Sequence, residues 1–226
     1  MKKTELIQEI REAAIIAIIR GVEHEKLPPL LDALAAGGIR FAEITFDQTG
    51  RTSGEETAQS IAELKKHMAG RMHIGAGTVM TVGQADRAMT AGAEFLISPN
   101  VNPEVIRHTV AAGRVSIPGA MTPTEAAVAY ESGADFVKLF PADTLGLSYI
   151  KALMAPLSHI PFLAVGGVNE RNIGDFLATG LAGVGVGSAL TPIEWIANES
   201  YQQITEHANR YCNVVQNHRN YFGKRA

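Results

Sequence analysis

Short, compact apolar runs alternate along the whole chain with longer segments whose apolar positions recur at helical spacing. Thr4 to Arg11 is the first helical segment, and it precedes Ile15-Ile16-Ala17-Ile18-Ile19-Arg20, a run that reads as a strand buried on both faces. A helix over Glu25 to Ala36 stops at Gly37-Gly38, and a second strand follows at Arg40 to Phe46. Asp47 to Glu55 is a polar loop, Glu56 to Met68 a helix, and His73 to Thr78 a strand ending in glycines. The same unit then repeats. Helices are predicted over Val82 to Ala91, Pro103 to Ala112, Pro123 to Ser132, Ser148 to Met154 and Glu170 to Thr179. Strands are predicted at Glu94 to Ser98, Val115 to Ile117, from Asp135, at Phe162 to Val165 and at Gly183 to Val186. Ile193 to Tyr221 is a last long helical segment, expected to pack across the barrel.

The strand candidates begin at Ile15, Phe41, His73, Glu94, Val115, Asp135, Phe162 and Gly183, roughly 24 residues apart on average, which suits a βα unit repeated eight times. Right-handed crossovers and the absence of an edge make a closed (β/α)8 TIM barrel of parallel strands the expected architecture, with a doubly wound open sheet as the alternative. Neither a low-complexity segment nor a Pro-rich linker interrupts the alternation, so residues 1–226 are expected to form one domain.

Two charged residues sit where apolar ones would be routine. Glu43 shares a strand face with Phe41 and Thr45, and Lys138 shares one with Phe136 and Phe140. Both lie on even-numbered strands, the second and the sixth, so barrel parity aims them into the same interior region. Burial there would favour a neutral amine, which can attack a carbonyl, while a carboxyl within reach could shuttle protons. A lysine snorkelling from a strand end, or a buried Lys–Glu ion pair, would use the same residues structurally. Arg20 closes the first strand as either a solvated end or an anion ligand. The glycines of Gly75-Ala76-Gly77 permit close approach of a ligand or tight packing of a neighbour.

Composition narrows the partners. With 46% hydrophobic residues among 226 the chain can bury a sizeable core, and 20 basic against 23 acidic residues give a net charge of −3 without a long block of either sign. Nothing suggests nucleic acid or an anionic membrane, so the expected partner is a small molecule. The lone Cys212 precludes an internal disulfide framework, no secretory leader pattern opens the chain, and Ala13 to Ile19 is too short to span a bilayer, so a cytoplasmic protein is expected. The seven histidines show no HxH or HExxH spacing, and no metal is expected. Cys212 is read as a packed or partly exposed inert thiol, and His73 as a packed or solvent-exposed side chain, rather than as reactive groups.

Seven short motifs occur in order between Ile15 and Ser188: Ile18-Ile19-Arg20, Glu43-Ile44-Thr45, Gly75 to Val79, Ser98-Pro99, Ile117 to Glu125, Phe136 to Ala142 and Gly166-Gly167-Val168. Together they resemble the 2-keto-3-deoxy-6-phosphogluconate/4-hydroxy-2-oxoglutarate aldolase family. The resemblance implies that Lys138 is a Schiff-base lysine and Glu43 a general acid/base. It further implies that Thr78 lies near the pyruvyl carboxylate, that Pro99 and Phe140 line the pocket, that Arg20 binds an anion, and that Gly166, Gly167 and Ser188 hold a phosphate. It implies no cofactor, and a homotrimer.

Two positions depart from the family pattern. Asp47 stands where the family usually has a substrate-holding arginine, and an acid would repel a carboxylate; Arg51, in a loop longer than the family's usual one, is the candidate replacement, against simple solvation of its side chain. Val165 stands where threonine is common. The expected reaction is cleavage of a 2-keto-3-deoxy sugar acid, foremost the 6-phosphogluconate derivative, to pyruvate and glyceraldehyde 3-phosphate. The same Schiff base acting on 4-hydroxy-2-oxoglutarate or an unphosphorylated acid is the second expectation, and a non-catalytic sugar-phosphate-binding barrel is a third.

Overall fold

Nine short parallel strands wind into a barrel in the order β5-β4-β3-β2-β1-β9-β8-β7-β6. They are β1 (Ile15–Ile19), β2 (Phe41–Thr45), β3 (His73–Gly77), β4 (Phe95–Ile97), β5 (Val115–Ile117), β6 (Gly119–Ala120), β7 (Val137–Leu139), β8 (Phe162–Val165) and β9 (Gly183–Val186). The computed structural model describes residues 2–222; Met1 and residues 223–226, which the one-domain expectation includes, lie outside them.

The fifth predicted strand is β5 as expected, and β6, just beyond Pro118, is a strand added to the eight predicted. Pro118 has no N–H to give to a ladder, so β5 pairs with β4 and, one residue on, β6 pairs with β7. The barrel closes through that break, where Lys138 N–H donates to the Pro118 carbonyl at 2.8 Å. The lysine strand, sixth by sequence, is therefore β7.

Helices α1 (Lys3–Ala13), α2 (Leu27–Ala36), α3 (Gly54–His67), α4 (Val82–Thr90), α5 (Pro103–Ala111), α6 (Pro123–Glu131), α7 (Ala142–Met154), α8 (Ile173–Leu177), α9 (Ile193–Ala197) and α10 (Tyr201–Phe222) complete the described chain. Local chemistry starts several of them. Ser53, Thr81 and Thr122 each accept from a backbone N–H three residues on, with Glu56, Gln84 and Glu125 closing the capping box.

Alternation of period two sorts each strand's side chains. Ala17, Ile19, Ala42, Ile44, Val137 and Leu139 face the helices in one core, whereas Ile16, Phe41, Phe95, Ile97, Val115, Phe136 and Leu163 fill the barrel's interior. Leu6 and Ile10 of α1 join the interior set and plug the N-terminal mouth. The C-terminal segment packs on the outside of the barrel. It breaks between α9 and α10, and α10 lies in the outer layer against α2 and α8, where the Thr205 hydroxyl donates to the Ala33 carbonyl at 3.0 Å. Ile204, Ala208, Tyr211 and Val215 of α10 are buried there in the outer core.

Candidate active site

The interior face of β7 climbs from Phe136 in the apolar plug through Lys138 to Phe140 at the open mouth. Lys138 is 6% exposed, and its Nζ lies 5.0 Å from the centroid of the Phe140 ring. Burial pushes the amine below the ordinary lysine range; the charge of Glu43 opposes that shift and the charge of Arg20 adds to it.

Glu43 faces Lys138 from the opposite wall, since four strand steps separate β2 from β7 in either direction around the ring when β5 and β6 count as one. It is 2% exposed, and desolvation raises its carboxyl to about 7 despite the attraction of Lys138 and Arg20. Its Oε2 has no hydrogen-bond partner. The two groups act on each other through space, with no hydrogen bond between them. A β-carbon on Gly77 would fall 2.4 Å from Glu43 Oε1, so the glycine makes room for the carboxyl, whereas Gly75 makes room for the ring of Phe95. One glycine of that strand thus serves the site and the other serves packing.

Above the pair a cleft of about 550 Å³ opens between the ends of β1, β2 and β3, lined by Arg20, Thr45, Asp47, Gln48, Arg51 and Thr78 among others. Thr78 is held at φ 56, the left-handed region that a β-branched residue rarely adopts, and its carbonyl accepts from Gln48 Nε2 at 3.2 Å. Gln48 went unremarked in the sequence because nothing local marks an exposed glutamine as a partner of a residue thirty positions away.

Asp47 does not present its charge to the cleft as a simple repulsive acid. Its carboxylate turns into its own loop, accepting from the N–H and hydroxyl of Thr49 at 2.8 Å each and from the N–H groups of Arg51 at 2.8 Å and Thr52 at 3.1 Å. These bonds, that of the Thr49 N–H foremost, hold its carboxyl down to about 2. The loop so folded carries the exposed Arg51 side chain onto the cleft that contains Arg20 and Thr78.

A second cleft, about 400 Å³, shares Arg20 with the first and is lined by Phe140, Val165, Gly166, Gly167 and Ser188. Val165 and Ile18 press on Gly185, where a β-carbon would be 2.9 and 3.1 Å from them, so this wall is apolar. Pro99 is half-buried beside β6: a β-carbon on Gly119, the residue paired with Lys138, would lie 2.6 Å from the Pro99 carbonyl. Every candidate site residue therefore stands at or beside the C-terminal mouth. Cys212 lies far from it, buried under α2, with its thiol raised to about 11 by desolvation. His73 has more partners than expected, bonding Glu94 and Glu9 at the opposite mouth.

A parallel barrel with a desolvated amine and a buried carboxyl facing each other below two open clefts is an arrangement suited to an enzyme that acts on carbonyl compounds. The family model for KDPG and KHG aldolase matches residues 6–207, and the chain belongs to that family of aldolases. It is 41% identical over 180 residues to a probable 2-dehydro-3-deoxy-6-phosphogalactonate aldolase of Rhizobium meliloti, covering 79% of this chain and 82% of the relative. It is 34% identical to a 2-dehydro-3-deoxy-phosphogluconate aldolase of Treponema pallidum, covering 93% and 97% respectively. A crystal structure of KDPG aldolase from Legionella pneumophila, with pyruvate captured as a covalent carbinolamine intermediate, is 30% identical with a TM-score of 0.80 over 92% of this chain and 97% of that one.

Proposed function

We propose that the protein cleaves a 2-keto-3-deoxy-6-phospho sugar acid reversibly to pyruvate and glyceraldehyde 3-phosphate through a Schiff base on Lys138. The observation that carries this reading is the buried pair of Lys138 and Glu43, desolvated from opposite walls and left without a hydrogen bond between them. A structural ion pair would close that gap; a site that admits a carbonyl carbon leaves it open.

The neutral amine attacks the C2 ketone, and the carbinolamine loses water to give an iminium. The C3–C4 bond then breaks, its electrons moving into the iminium as an enamine while the C4 hydroxyl loses its proton and becomes the aldehyde. A proton returns to C3, and water hydrolyses the iminium to pyruvate and the free amine. Glu43, poised near 7, can both donate and accept these protons at neutral pH. Thr78 and Arg51 face the pyruvyl carboxylate, Arg20 stands between the two clefts, and Gly166, Gly167 and Ser188 take the phosphate, with Pro99 and Phe140 as walls. No cofactor enters any step.

The gluconate-derived acid is the first substrate to test. The galactonate epimer is the second reading, favoured by the name of the 41%-identical relative and by Val165, which offers no hydrogen bond to a sugar hydroxyl. Residues 1–226 act as one domain in the cytoplasm, and copies associate as a trimer; exposed Met121, Val128, Tyr130 and Tyr149 supply apolar surface for that contact. Cleavage assays with both phosphorylated epimers, 4-hydroxy-2-oxoglutarate and an unphosphorylated acid test the reading. Pyruvate release at least about tenfold more efficient from a phosphorylated acid supports it; equal or greater efficiency on the others contradicts it.

A further inference from the structure

The loop after β8 reads Gly166-Gly167-Val168-Asn169-Glu170-Arg171-Asn172, and two consecutive glycines at φ 93 and 77 cannot hold their own conformation. Something outside them must. The Asp143 N–H donates to the Gly166 carbonyl at 3.0 Å. Both Asn169 Nδ2 and Asn172 Nδ2 donate to the Gly167 carbonyl, each at 3.0 Å. The asparagines also bind each other, the Asn169 N–H donating to Asn172 Oδ1 at 2.7 Å, and Asn169 Oδ1 accepts from the Arg171 N–H at 2.9 Å.

Asn172 occupies the N-cap position of α8, where an asparagine side chain ordinarily accepts from the helix's first turn, yet it makes no such bond. Its amide is spent on the loop instead. In a trans peptide the carbonyl and the following N–H point in opposite directions. Anchoring the Gly166 and Gly167 carbonyls on the outer side therefore turns the N–H groups of Gly167 and Val168 away from the anchors. Neither N–H has a partner among the described residues, and both residues line the cleft of about 400 Å³ that also contains Ser188. Successive free N–H groups of this kind form a concavity for an anion.

We infer that Asn169 and Asn172 are positioning residues that clamp the Gly167 carbonyl and thereby impose selectivity for a phosphorylated over an unphosphorylated 2-keto-3-deoxy acid. This rests on the aldolase reading above. Asn172 does not line that cleft and acts through the backbone it holds, and Asn169, which lines its edge, has its amide engaged by the Gly167 carbonyl, so their loss acts on KM for the phosphorylated acid rather than on the chemistry at Lys138.

The test uses Asn172→Ala, Asn169→Ala and Asn172→Asp, the last keeping the size and the acceptor oxygen but losing the donor to Gly167. Steady-state cleavage is measured for each with a phosphorylated and an unphosphorylated 2-keto-3-deoxy acid. The expected result is a KM for the phosphorylated acid raised about tenfold in Asn172→Ala and Asn172→Asp, with kcat within about twofold and KM for the unphosphorylated acid little altered. Parallel changes for both substrates, or no change for either, would overturn the clamp. A wild-type protein that prefers the phosphorylated acid while the variants keep that preference overturns the clamp alone; one without the preference overturns the phosphate reading as well.

Discussion

The two mouths of the barrel handle buried charge in opposite ways. At the N-terminal mouth a network pairs the charges: Glu94 meets Lys65 at 2.6 Å and His73 at 3.1 Å, Glu9 meets His73 and Arg40, and Lys3 meets Asp135 at 2.9 Å. Beneath that network Leu6 and Ile10 seal the interior. At the C-terminal mouth Glu43 and Lys138 are more deeply buried and form no direct pair, Thr78 is held in a strained backbone conformation, and the walls are glycine-rich. Paired charges fix the fold, and desolvated charges without a direct partner hold reactivity in reserve. Arg40 and Asp135 of the network lie just before β2 and β7, three residues from Glu43 and Lys138 respectively.

Substitutions at the two ends should therefore diverge. Lys138→Met removes the nucleophile and should lower kcat/KM at least about 10⁴-fold, measured by pyruvate release, while the thermal midpoint stays level or rises, because a desolvated amine is replaced by an apolar chain of similar length. Glu43→Gln should lower kcat about 10²- to 10⁴-fold. It should also flatten the pH dependence of stability. The folded carboxyl sits at about 7 against 4.5 for the free group, so its contribution is complete below pH 4.5 and disappears as pH rises through 7. Above pH 7 the glutamine variant should unfold at higher temperature than the wild type, by an amount corresponding to up to about 3 kcal/mol.

Glu94 supplies the contrast. Burial alone would raise its carboxyl, but bonds from His73 and Lys65 outweigh burial and bring it to about 2. A depressed carboxyl stabilises the fold above its ordinary value and loses that contribution as pH falls from 4.5 towards 2. Glu94→Gln should cost about 2 kcal/mol at pH 7 by denaturant titration, lose its deficit in acid, and leave kcat within about twofold. The smallest effect is expected from Arg51→Ala, a rim residue: KM for pyruvate in the aldol direction should rise about tenfold, equivalent to about 1.4 kcal/mol, with no change in stability. An unaltered KM would leave Arg51 as a solvated side chain.

Much of this was legible in the residues. Compact apolar runs at even spacing announced the parallel barrel, and period-two alternation was enough to aim Glu43 and Lys138 into one interior. What escaped depended on contacts between distant segments or on backbone chemistry without a side-chain signature. The two-residue strand beyond Pro118 is too short to show as an apolar run, and the helical spacing of the C-terminal segment does not say which helices it packs against. Asp47 looked like a repulsive substitution because its bonds to Thr49, Arg51 and Thr52 arise only once the loop has folded. The asparagines that hold Gly167 carried a faint signal, an Asn-x-x-Asn spacing directly after Gly-Gly-Val where the helix was expected to start early; its donors face backwards into the loop instead of forwards into the helix.

The most direct test of the account is reduction of the protein with borohydride in the presence and absence of pyruvate, followed by peptide mass analysis. The account predicts a pyruvate-dependent adduct on the peptide carrying Lys138, absent in Lys138→Met and formed more slowly in Glu43→Gln. No adduct, or an adduct on another lysine, would contradict it.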